Sequence, residues 1–152
     1  RWAVTGVDRV EEAVQLARLN ALACGLNGVS FLVSDWFAAL AGQRYDLIVS
    51  NPPYIALQDP HLEQGDVRFE PLSALVSGAD GLDDIRRILV DSGAHLKEGG
   101  WLALEHGWQQ AAEVRELMQH AGFSQVRSVR DLAGHERVTL GQWLHRQEAL
   151  AC

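Results

Sequence analysis

The chain has 152 residues, a formal net charge of -7 and a pI near 5.3, with 47% apolar and 22% charged residues, a balance typical of a globular domain with one packed core. The acidic surplus opposes a protein that grips nucleic acid through its phosphates. No apolar run approaches the roughly 20 residues needed to cross a bilayer and no basic-then-apolar leader opens the chain, so a cytoplasmic protein without membrane contact is expected.

Short apolar runs alternate with helical patterns, the pattern of an α/β domain with a parallel sheet flanked by helices. Residues Ala3 to Val7 read as a first strand. Asp8 to Glu11 spells an acidic capping box, and Val14, Leu16, Ala17, Leu19 and Ala23 follow at helical spacing until Gly25 can stop the helix. Val29 to Val33 is a second strand, entered through the Asn27-Gly28 turn, and a short Trp36 to Leu40 segment follows. Tyr45 to Ser50 is a third strand whose Leu47, Ile48 and Val49 leave no polar face, which predicts a place in the middle of the sheet. From Asn51 to about Gly81 the chain has prolines, glycines and little periodicity, and an ordered loop of that length usually serves function. A helix over Leu82 to Leu96, a strand over Trp101 to Glu105 and a helix over Gln109 to Ala121 come next. The last two strands, near Gln125 to Arg130 and Arg137 to Leu144, are too close for a crossover helix and must be antiparallel. Cys24 and Cys152 form no disulfide framework and no metal-ligand spacing, so no metal site is expected.

In open parallel sheets ligands gather beyond the carboxyl ends of the strands. Asp8 stands at the first such end, where a carboxylate can accept from two ribose hydroxyls; a helix cap also explains it. Asp35 and Trp36 follow the second, able to accept from an adenine amino group and to lie against the ring; simple packing also accounts for the tryptophan. The third carries Ser50-Asn51-Pro52-Pro53-Tyr54. Prolines have no backbone donor, so this stiff segment offers a planar nitrogen the Asn51 side-chain carbonyl and the Pro52 carbonyl as acceptors. Those suit the two hydrogens of an NH2 group. An amide holds its lone pair tightly, as its rotation barrier of roughly 18–20 kcal/mol shows, and two acceptors on those hydrogens return density to nitrogen while fixing its direction. Tyr54 can wall the flat group, and no histidine base is required.

Asn51-Pro52-Pro53-Tyr54 resembles the motif of amino-methyltransferases that act on adenine in DNA, guanine in ribosomal RNA or glutamine in proteins. Four further segments narrow the resemblance: Arg68-Phe69-Glu70-Pro71-Leu72, Ala74-Leu75, Leu104-Glu105-His106-Gly107 and Asp131 to Arg137. Together they are similar to the glutamine methyltransferases of bacterial peptide chain release factors, the PrmC/HemK family, over nearly the whole chain. The resemblance implies a Rossmann-like class I methyltransferase fold, a three-layer sandwich with a mostly parallel sheet and a C-terminal antiparallel hairpin. It implies S-adenosylmethionine as cofactor and the glutamine in the Gly-Gly-Gln loop of class 1 release factors as substrate. Asp8 would hold the ribose and Asp35 and Trp36 the adenine. Asn51 would lie between donor and glutamine, with Pro52, Pro53 and Tyr54 completing the pocket. Glu70-Pro71 would belong to a neighbouring loop, while His106 reads as a packed histidine and Asp131 to Arg137 as a solvated hairpin tip.

Family members carry a small helical domain and a glycine-rich strand-to-helix turn ahead of the strand ending at Asp8. The resemblance therefore implies that residues 1–152 are part of a longer catalytic domain. Its first strand would lie between those ending at Asp8 and Ser50, leaving two sheet edges unpaired, and weak or no methyl transfer is expected from these residues alone. A DNA or RNA amino-methyltransferase and a remnant domain without catalysis are the competing readings.

Overall fold

The computed structural model describes residues 2–63 and 71–144. They form two compact units, Arg1–Gln43 and Arg44–Cys152.

The first unit is a parallel β-α-β arrangement of β1 (Val4–Asp8), α1 (Glu11–Ala23) and β2 (Val29–Val33). Pairing runs from Val4 with Val29 to Asp8 with Val33, so both strands end level. The capping box expected at Asp8 to Glu11 does not form. The strand runs one residue further than expected, Val10 becomes the N-cap without a side-chain bond, and Asp8 Oδ1 reaches only the Val10 N–H at 2.8 Å. Gly25 ends the helix as expected. It takes φ +67°, and the amides of Gly25 and Leu26 return to the carbonyls of Leu22 and Ala21, the paired bonds that a left-handed glycine permits.

The second unit is built on a four-stranded sheet of order β3-β4-β6-β5, from β3 (Tyr45–Ser50), β4 (Leu96–Glu105), β5 (Phe123–Arg130) and β6 (Glu136–Trp143). β3 and β4 are parallel, and β6 runs antiparallel to both neighbours, so the expected closing hairpin is present with its second strand inserted beside β4. Among the described residues three α-helices accompany it: α2 (Leu72–Leu75), α3 (Asp83–Ser92) and α4 (Ala111–His120). Ile85, Ile88 and Leu89 of α3, Val114 and Met118 of α4, and Leu102 and Leu104 of β4 make the core. Fully burying side chains of this kind stabilises by about 1.5–3 kcal/mol each.

Three expectations change here. The helix from Leu82 stops at Ser92 and tightens into a 3-10 turn at Gly93–His95, where a Cβ on Gly93 would stand 2.6 Å from the Trp143 ring. β4 starts at Leu96 rather than Trp101, because a bulge absorbs the Glu98-Gly99-Gly100 turn: Tyr45 pairs with Leu96 and Leu47 with Trp101. The central strand is β4, whose Leu102, Ala103 and Leu104 are all buried, and not β3. Among the described residues β3 pairs with β4 alone, and Leu47 and Val49 stay 45% and 71% exposed.

Glu70, Arg68, Phe69 and Cys152 lie outside the described residues, and Cys24 is an exposed free thiol. Among the described residues no helix is long and apolar enough to cross a membrane, and no cluster of His, Cys, Asp or Glu could hold a metal.

Candidate active site

In the first unit, register brings Asp8 and the Ser34-Asp35-Trp36 turn to one end of the parallel pair, and Ser34 N–H closes onto the Asp8 carbonyl at 2.9 Å. Asp8 is exposed, and the oxygen not used by Val10 has no partner among the described residues. Asp35 is exposed and Trp36 half-buried. Trp36 adopts φ +50°, a left-handed conformation rare for a bulky residue and a sign of local strain. Ser34, buried and passed over in the sequence, holds that turn: its hydroxyl donates to the Trp36 carbonyl at 2.8 Å and accepts from Ala39 N–H at 3.0 Å.

In the second unit, Asn51 leaves the end of β3 exposed, Pro52 is fully buried, and Pro53 and Tyr54 are half-buried. The Asn51 side chain and the Pro52 carbonyl have no hydrogen-bond partner among the described residues. The buried proline anchors the segment while the two acceptors stay open. Downstream, Ile55 pairs with Val76 in a parallel bridge, with Ile55 N–H on the Leu75 carbonyl at 2.9 Å and Ser77 N–H on the Ile55 carbonyl at 3.0 Å.

A residue the sequence did not single out fixes the middle of this segment. Gln110 Nε2 donates to the carbonyls of Tyr54 at 3.0 Å and Asp80 at 3.2 Å, while Oε1 accepts from Gly107 N–H at 2.8 Å. Gly81 makes the close approach possible: at φ +79°, its missing Cβ would sit 2.3 Å from the Tyr54 oxygen. Nothing in a lone glutamine at a helix start announces this bridging.

His106, next to Gly107, is fully buried. Nδ1 lies 2.9 Å from the Gly107 carbonyl and Nε2 2.8 Å from Thr139 Oγ1, Thr139 meets Ser128 Oγ at 2.9 Å, and Arg115 Nη1 reaches Ser128 at 2.7 Å and Glu136 at 3.1 Å. With a neutral ring, the Gly107 carbonyl requires Nδ1–H, and the remaining directions run from Arg115 through Ser128 and Thr139 to His106 Nε2. Burial lowers the His106 pKa below its ordinary value, which favours that neutral ring. His106 is thus the hydrogen-bonded packed histidine expected. The expected solvated hairpin tip is more ordered than the sequence suggests, since Asp131 Oδ1 accepts from Ala133 and His135 N–H at 2.9 Å and Oδ2 pairs with Arg137 at 3.5 Å. Beside Tyr54, an open cleft of about 460 Å³ is lined by Glu105, Arg130, Asp131, Arg137 and two valines.

Asp8, Asp35 and Trp36 fall in the first unit and Asn51 to Tyr54 in the second. Residues 1–134 match a family model described as a methyltransferase domain. The release factor glutamine methyltransferase of Pseudomonas aeruginosa is 58% identical over 142 residues, which are 93% of this chain and 51% of that protein. The solved release-factor-specific protein-(glutamine-N5) methyltransferase of Alicyclobacillus acidocaldarius is 30% identical, with 93% of this chain and 79% of that one covered at a TM-score of 0.51. The chain belongs to the methyltransferase domain family, among the release factor glutamine methyltransferases. A methyltransferase from Pyrococcus furiosus, 22% identical, shares the fold at a TM-score of 0.65 over 91% of this chain and 61% of its own. This family member spans about half the length of the curated relatives it matches.

Proposed function

We propose that this chain forms the reacting part of an enzyme that methylates the side-chain amide nitrogen of a glutamine, the one in the Gly-Gly-Gln loop of class 1 peptide chain release factors, with S-adenosylmethionine as donor, in the cytoplasm. The observation that carries this reading is the pair of unfilled acceptors, the Asn51 side-chain oxygen and the Pro52 carbonyl, on a segment anchored by the burial of Pro52 and by Gln110. A second support is the family, whose members at 58% and 30% identity bear that reaction in their names.

The residues present fit the donor. Asp8 keeps a carboxylate oxygen for ribose hydroxyls, exposed Asp35 can accept from an adenine amino group, and half-buried Trp36 offers a ring face. The donor supplies an already activated methyl group. What remains is to make a poor nucleophile reactive. Asn51 Oδ1 and the Pro52 carbonyl accept the two amide hydrogens, which shifts density to nitrogen and fixes its line of approach. Tyr54 closes one side of the flat amide. Proline rather than an ordinary residue at positions 52 and 53 removes donors that would compete for the nitrogen lone pair.

The test is mass spectrometry of a release factor incubated with S-adenosylmethionine and the protein, with DNA and RNA run in parallel. Two forms are compared: the chain alone, and the chain joined behind the N-terminal half of the Pseudomonas aeruginosa relative. Methyl on the loop glutamine, strong from the joined form and weak or absent from the chain alone, is expected. Methyl on nucleic acid instead, or on nothing, would overturn the reading.

A further inference from the structure

The cleft beside Tyr54 holds two groups that the reaction as derived leaves unused. Glu105 ends β4, and because Ser50 pairs with Leu104, it stands level with Asn51 across the β3-β4 pair. Glu105 is half-buried as a residue, and its carboxylate has no hydrogen-bond or ion-pair partner among the described residues. Arg130, at the end of β5, lines the same cleft with an exposed guanidinium that is likewise without a partner among them. The other charged pair there, Asp131 and Arg137, is satisfied internally. A carboxylate in a cleft with no partner keeps its oxygens open to donors that a ligand brings.

One group accepts and the other donates. A peptide backbone presents both complements, N–H and C=O, at each residue, and a glycine-rich stretch presents them without side chains in the way. The Asn51 to Tyr54 segment supplies acceptors for the reacting amide and nothing for the chain around it. Resting on the glutamine reading above, we propose that this cleft is the subsite for the peptide flanking the modified glutamine, with Glu105 accepting a backbone N–H and Arg130 donating to a backbone carbonyl. Charge-assisted bonds to a carboxylate and to a guanidinium are stronger than neutral ones and impose direction on the bound peptide. The subsite would therefore set which glutamines are reached, while Asn51 and Pro52 set the chemistry.

The test is calorimetric titration of the chain with a peptide containing the Gly-Gly-Gln loop, together with steady-state transfer by the joined form. Glu105→Gln keeps the side-chain shape, and Arg130→Ala alters an exposed position. Each is expected to weaken peptide binding about tenfold and to raise KM for release factor by a similar factor, with kcat within about twofold. Peptides whose glycine nitrogens carry methyl groups add the readout specific to this contact. One such methylation should weaken binding to the unsubstituted chain and cost nothing further in Glu105→Gln. Unchanged binding and KM in Glu105→Gln, with glutamine still methylated, would overturn the subsite and leave the reaction standing. Absence of both peptide binding and glutamine transfer in the unsubstituted forms would remove the reaction, and the subsite with it.

Discussion

Gln110 reaches back 56 residues to hold the Tyr54 carbonyl at 3.0 Å, and through its other amide atom it holds the turn that follows β4. One neutral side chain thus ties together the loops after β3 and β4 and the residues leading into α3. The tie fixes the backbone of the segment whose carbonyl oxygens are proposed to do the chemistry.

Replacing Gln110 by alanine leaves the Tyr54 and Asp80 carbonyls and the Gly107 N–H short of partners. A loss of roughly 1–3 kcal/mol in stability is expected from urea unfolding. Transfer to glutamine should fall by more than that loss of folded protein explains, about tenfold or beyond at a temperature where the variant is folded, because misplacing a positioning segment is costly. Gln110→Glu keeps an acceptor for Gly107 but sets a carboxylate against two carbonyls, and it should be no better than alanine.

Gly81→Ala is expected to damage the same contact from the other side. The new methyl group would meet the Tyr54 oxygen at 2.3 Å in a backbone conformation of φ +79° that alanine resists. A stability loss of about 1 kcal/mol or more, with reduced transfer, is the expected result in unfolding and rate measurements. Gly25→Ala, just past the end of α1, has an open surrounding and only the conformational cost, so it should leave transfer unchanged.

His106 makes stability depend on pH. Its pKa is lowered by burial from the ordinary 6.5, so below that pH the unfolded chain takes up a proton that the folded chain resists. Stability should fall as pH drops below 6.5 and through the lower folded value. Urea midpoints between about pH 7.5 and pH 5 check this, and His106→Asn should flatten the histidine-dependent part of the slope.

Asp80 titrates lower still, at about 2, because Arg86 donates to its carboxylate, at 2.6 Å for the shorter bond. Its contribution is present above the ordinary 3.8 and lost as pH falls toward about 2. The pair is exposed, at 43% and 48% of the side-chain surfaces, so the stability at stake is small. Carboxyl NMR titration is the sensitive measurement: Arg86→Met should return Asp80 to the ordinary carboxylate range.

The sequence made legible whatever rests on local pattern. Strand β2, β3 and the stop of α1 at Gly25 follow from β-branched runs and from the one residue that tolerates a left-handed turn. Asn51 to Tyr54 was legible because two prolines beside an asparagine are chemically unusual. Partners distant in sequence were not legible. Leu47, Ile48 and Val49 look fully buried, yet burial depends on neighbours, and among the described residues β3 pairs only with β4. Gln110 and Ser34 act through ordinary amide and hydroxyl groups whose targets are known only once the chain is folded. Asp8 shows the same limit, since one added strand residue turned an expected cap into a short bond to Val10.

The most direct measurement is the rate of glutamine methylation by the joined form carrying Asn51→Ala. Asn51 is exposed and its side chain bonds to no described residue, so folding should be unaffected while transfer falls roughly a hundredfold or more. Methylation at the unsubstituted rate in that variant would contradict the account.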